Sequence, residues 1–290
     1  METTCYEFVE SVIVCLDDDS YKIRLKALCS SWWQKIAEAL IPRPYVVAEL
    51  SQTACGTIFY QFNVYVSTTR RFGLKLDLRQ TRALKNGDLD VIRFKEATEL
   101  KFKIDREDYD QHFVPFLLQS PYVLQIEETS AISDFYVRHA LNGPHFEEIT
   151  MVHSGQTSVD FVIYQIAHSS GLQTLDLSGQ WPPEIIPSLQ TLLRRNRICV
   201  RLPDSPALDL DFLKTVIEHW ATNNGELREL MCNAHFKISQ FGAFMQRNPY
   251  DIYTLKTKDQ NSVVSVRNNG ATLDVHVAYR SWIQGLKSTK

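Results

Sequence analysis

A spaced pattern of apolar residues recurs six times between residues 97 and 235. Each copy has the form apolar-x-x-apolar-x-apolar, and its last two apolar residues are Leu100/Phe102, Leu124/Ile126, Ile149/Met151, Leu175/Leu177, Val200/Leu202 and Leu230/Cys232. Positions 102, 126, 151, 177, 202 and 232 are 24, 25, 26, 25 and 30 residues apart. A near-constant period of this length predicts a chain built from repeated supersecondary units.

Each strand-like motif is followed by a helical spacing of apolar residues. Val159, Val162 and Ile166 follow the third motif, and Leu213, Val216, Ile217 and Trp220 follow the fifth. One strand and one helix in about 25 residues is typical of a leucine-rich repeat. We therefore predict an α/β fold, a leucine-rich-repeat-like solenoid. An alternating α/β domain with evenly spaced strands is the alternative, and both predict parallel strands joined by helices.

The segments on either side of the repeats have a different period. Pro42-Arg43-Pro44 ends a helical pattern, after which 59–66 and 72–78 alternate like strands and Asn86-Gly87 predicts a hairpin turn. Near the C-terminus, 262–267 and 272–277 flank a second turn. We predict a helical segment at 1–42, a β-rich connector at 43–96, the solenoid at 97–246 and a β-hairpin cap at 247–290.

Composition narrows the class of partner and the compartment. A net charge of -3 and an isoelectric point near 6.2 disfavour a nucleic-acid surface. The apolar stretches fall short of the roughly 20 residues that span a bilayer, so we expect no membrane insertion. The six cysteines are scattered without C-x-x-C pairs. We therefore expect a cytoplasmic or nuclear protein.

The sequence contains no motif that carries chemistry. The eight histidines lack H-x-x-x-H spacing, and no phosphate-binding glycine loop or G-x-S-x-G elbow occurs. Glu127-Glu128 and Glu147-Glu148 are adjacent pairs, which point to opposite faces of a strand. We expect no enzyme and no catalytic, cofactor-binding or metal-binding residue. An enzyme whose site is assembled from separate loops is the remaining alternative.

The N-terminal segment resembles a known family. Tyr6-Glu7-Phe8-x-x-Ser11-Val12, followed by Leu25-x-x-Leu28-Cys29-Ser30-Ser31-Trp32, resembles the degenerate F-box of the large nematode F-box-like family, and Leu172 to Trp220 resembles its variable ligand-binding half. The resemblance implies docking on the Skp-type adaptor of a cullin-RING ubiquitin ligase. The residues expected to dock are Tyr6, Phe8, Val12, Leu16, Leu25, Leu28 and Trp32. A helical cap on the first repeat would bury the same residues.

Alternation along the predicted strands indicates where a protein substrate binds. Apolar strand residues point to the core, so their neighbours point outward. The predicted partner-binding set is Lys101, Lys103, Gln125, Glu127, Thr150, Val152, Asp176, Ser178, Arg201, Met231 and Asn233. The leading hypothesis is a substrate-recognition subunit of a ubiquitin ligase. The alternative is a free-standing protein-interaction solenoid without ligase attachment.

Overall fold

The computed structural model describes residues 45–65, 89–96, 100, 102–119, 121–195, 197–223, 228–234, 236–249, 252–258, 262–269 and 272–279. Thirteen strands of this part of the chain form one mixed β-sheet. The strands are β1 (Tyr45–Gln52), β2 (Ile58–Tyr65), β3 (Leu89–Phe94), β4 (Phe102–Ile104), β5 (Val123–Ile126), β6 (Glu148–Val152), β7 (Thr174–Ser178), β8 (Ile198–Leu202), β9 (Arg228–Cys232), β10 (Gln246–Arg247), β11 (Tyr253–Lys256), β12 (Ser262–Asn269) and β13 (Thr272–Tyr279).

Parallel strands form the centre of this sheet. The strand order is β10-β11-β12-β13-β9-β8-β7-β6-β5-β3-β1-β2-β4. The seven neighbours from β1 through β3 and β5 to β9 run parallel. Beyond them, β2 and β4 pair antiparallel at one end, and β13, β12, β11 and β10 pair antiparallel at the other.

Six α-helices lie in the connections among the described residues. They are α1 (Arg106–Asp108), α2 (Val114–Leu117), α3 (Ala131–Ala140), α4 (Gln156–His168), α5 (Ile186–Leu192) and α6 (Leu210–Thr222). A π-helical turn, Tyr109–Phe113, joins α1 to α2, and 3₁₀ turns form at Pro183–Ile185 and Ile238–Ala243. Parallel strands require such crossover connections, whereas antiparallel strands can be joined by short turns.

Helix α6 shows how the sequence specifies one of these connections. The Asp209 carboxylate accepts a hydrogen bond of 2.7 Å from the backbone N–H of Phe212, which caps the first turn. A buried stripe follows at helical spacing, formed by Leu213, Val216, Ile217 and Trp220. The Trp220 indole N–H then donates to the carbonyl of Leu193 at 2.7 Å. The helix is thereby fixed to the end of α5 as well as to the sheet.

The hydrophobic core lies between the helices and one face of the sheet. Leu124, Ile149, Leu175 and Val200 occupy successive strands and are fully buried together with helix residues. Burying one such side chain contributes about 1.5–3 kcal/mol. The residues between them along each strand point to the opposite face.

The predicted leucine-rich-repeat-like solenoid is wrong. The described residues form a mixed sheet of thirteen strands with six short helices, and antiparallel strands flank the parallel ones on both sides. The predicted first repeat is also misplaced, because Phe102 lies in β4, which pairs antiparallel with β2. The strand beside β5 is β3 instead, with Ile92 opposite Leu124. Residue spacing along the chain does not determine which strands become neighbours.

Several local predictions are confirmed. The five later motif pairs lie in β5 to β9, and the C-terminal hairpin forms because β12 pairs antiparallel with β13. The predicted helical segment 1–42, the predicted strand 72–78 and the Asn86-Gly87 turn lie outside the described residues. The four domain boundaries stay predictions. Among the described helices, none is both long and apolar enough to cross a bilayer.

Candidate functional site

Polar side chains line the sheet face opposite the core. One residue from each of ten adjacent strands stands in direct register with the next. We call this line the polar row; it consists of Gln61, Glu49, Arg93, Gln125, Thr150, Asp176, Arg201, Met231, Asp274 and Arg267. Residues in register share a face, so the sheet presents this row away from the helices.

The polar row contains five of the predicted partner-binding residues. These are Gln125, Thr150, Asp176, Arg201 and Met231, and each is partly exposed. Val152 and Ser178 are in register with each other two positions further along their strands, so they lie on the same face. The alternation of apolar and polar residues correctly predicted which face of the sheet these residues occupy, because the apolar residues directly before and after each polar-row member are buried.

The other four predicted partner-binding residues lie outside the polar row. Glu127 and Asn233 directly follow the ends of β5 and β9. Lys103 lies in β4 at the sheet edge, where its ammonium stands 5.6 Å from the ring centroid of Phe59. Three strands separate β4 from β5, so Lys103 does not join the central group. Lys101 and the predicted adaptor-binding residues lie outside the described part of the chain; the latter are Tyr6, Phe8, Val12, Leu16, Leu25, Leu28 and Trp32.

The sequence reasoning missed a charge network at the β1 end of the polar row. Glu49 is buried, and its carboxylate lies 3.2 Å from the Arg93 guanidinium and 3.0 Å from the Lys95 ammonium. The Asn63 amide donates to the same carboxylate at 2.9 Å. The Arg93 guanidinium also donates to Gln125 at 2.7 Å. A glutamate within the apolar run at 46–50 is the sequence feature that could have revealed this network.

The centre of the polar row is less completely paired. Asp176 in β7 is half-buried, and burial raises the pKa of its carboxyl, an effect that the Arg201 guanidinium partly opposes. Arg201 itself lies 3.8 Å from the Glu229 carboxylate on the next strand. Cys199 lies on β8 in direct register with Glu229, and burial raises the pKa of its thiol to about 11. Cys199 is therefore protonated at neutral pH.

A different arrangement surrounds Cys55 in the β1–β2 turn. Its sulfur lies 3.0 Å from the Thr53 hydroxyl and 3.4 Å from the Thr57 hydroxyl. Hydrogen bonds from these two hydroxyls lower the pKa of the exposed thiol to about 7. It borders an open recess of about 420 Å³ that Lys103 and Arg106 also line. None of the eight lining residues is a histidine, so no imidazole base stands beside the thiol.

The described residues contain no group of three histidine, cysteine, aspartate or glutamate side chains that could hold a metal ion. The arrangement that extends over most of the sheet is the polar row, a surface suited to contact with another macromolecule. Comparison with models of known protein families, with curated proteins and with solved structures gives no match.

Proposed function

We propose that this protein binds another protein through the sheet face that carries the polar row. The observation that carries the proposal is the register of ten polar-row residues on the face opposite the core. Side chains held in register on a rigid sheet are positioned before a partner arrives, which reduces the entropy lost on binding. Binding is the proposed role, and catalysis is not part of it.

The exposed part of the face has the size of a small protein–protein interface. Glu49 and Gln61 are buried, so the row is accessible on the eight strands from β3 to β12, which extend roughly 34 Å at a spacing of about 4.8 Å. Five residues of a central strand extend about 17 Å in the other direction. The product is about 580 Å², near the roughly 600 Å² that each partner buries in a small, transient interface. The composition also suits a protein partner, since the row combines charged side chains of both signs with neutral polar ones and one apolar residue, Met231.

The face can be tested with a photo-crosslinking amino acid. We would place p-benzoylphenylalanine at Thr150, in the middle of the polar row, and in a second variant at Glu184, which is exposed in the 3₁₀ turn before α5. A protein crosslinked at Thr150 and not at Glu184 would be identified and purified. It should then bind the wild-type chain and lose binding to Thr150→Arg. Equal crosslinking at both positions would contradict the proposal.

The F-box resemblance gives this function a more specific form. We propose that residues 1–42 attach the chain to the Skp-type adaptor of a cullin-RING ubiquitin ligase, so that the bound partner is a substrate for degradation. The support is the motif Tyr6-Glu7-Phe8 with the later Leu25, Leu28 and Trp32. A protein-binding chain without ligase attachment is the alternative form. The two differ at the N-terminal segment alone.

A pull-down with the purified adaptor separates these two forms. We expect the wild-type chain to capture the adaptor, and the Leu25→Asp/Leu28→Asp double variant and a deletion of 1–42 to lose it. Circular dichroism and thermal melting would show that the variants remain folded. A folded wild-type chain that captures no adaptor would favour the form without ligase attachment.

We propose that the protein acts in the cytoplasm or nucleus. The described cysteines Cys55, Cys199 and Cys232 are free thiols, which a reducing compartment maintains. Fractionation of cells that express the tagged full chain would test this location, and recovery in secretory compartments would contradict it.

A further inference from the structure

We draw no further inference here: the strongest candidate, the exposed Cys55 thiol in the β1–β2 turn with the open recess beside it, is a lone cysteine whose hydrogen bonds to Thr53 and Thr57 lie within its own turn, and no second feature among the described residues that line the recess points to a ligand.

Discussion

The ion pair between Arg93 and Glu49 should stabilise the sheet far more than the one between Arg93 and Glu127. The shorter pair is 3.2 Å apart and the Glu49 side chain is 7 % exposed, whereas Glu127 lies at 3.5 Å and is 53 % exposed. Two charges about 4 Å apart attract by about 4 kcal/mol at an effective dielectric near 20. Because the Arg93 side chain is itself 30 % exposed, water screens much of this attraction. We expect about 1.5 kcal/mol of coupling with Glu49 and less than about 0.5 kcal/mol with Glu127.

Two double-mutant cycles measure these coupling energies. The first combines Arg93→Met with Glu49→Gln, and the second combines Arg93→Met with Glu127→Gln. Urea unfolding followed by circular dichroism gives the free energy of unfolding of each variant. The contacts of Arg93 with Gln125 are lost in both arms of each cycle and therefore cancel. Equal coupling energies in the two cycles would refute the reasoning that burial of Glu49 determines the strength of the pair.

Three further predictions concern single residues. Trp220→Phe should destabilise the fold by about 2 kcal/mol in urea unfolding, because the buried Leu193 carbonyl loses its donor; no change would contradict this. Alkylation of Cys55 by iodoacetamide, followed by peptide mass spectrometry, should reach half its maximal rate near pH 7, since its thiolate forms above that pKa; a midpoint near 9 would contradict this. Gly155→Ala should cost about 1 kcal/mol of thermal stability because Gly155 has φ 115°, whereas Gly171→Ala should be nearly neutral.

Strands β5 to β9 could be predicted from sequence because buried and more exposed residues alternate strictly along them. In β7, Leu175 and Leu177 are buried while Thr174, Asp176 and Ser178 are partly exposed. The alternation of apolar and polar residues in the sequence therefore corresponds to the two faces of the sheet. The same alternation identified the central members of the polar row. Helix positions followed from the stripe of buried residues in α6, where packing against the core imposes the helical period.

The neighbours of each strand could not be predicted in the same way. Phe102 fits the apolar spacing, but it lies in β4 beside β2, because strand pairing depends on contacts between residues distant in the chain. The parallel neighbour of β5 is β3 for the same reason. The ion pairs of Glu49 could not be predicted, because Arg93 in β3 and Lys95 just after it are distant from Glu49 in the sequence. No local sequence pattern connects these residues. The F-box resemblance at 1–42 stays a prediction.

The ends of the described sheet carry its shortest strands. The terminal strand β10 has two residues, and β4 at the other end has three. A terminal strand exposes unpaired backbone N–H and C=O groups, to which another chain can add by hydrogen bonding. So few residues offer little backbone for such addition, and Lys103 places a charge on the β4 end. The short terminal strands thus disfavour edge-to-edge aggregation of the sheet. A partner is then more readily bound through the side chains of the sheet face than through its edges.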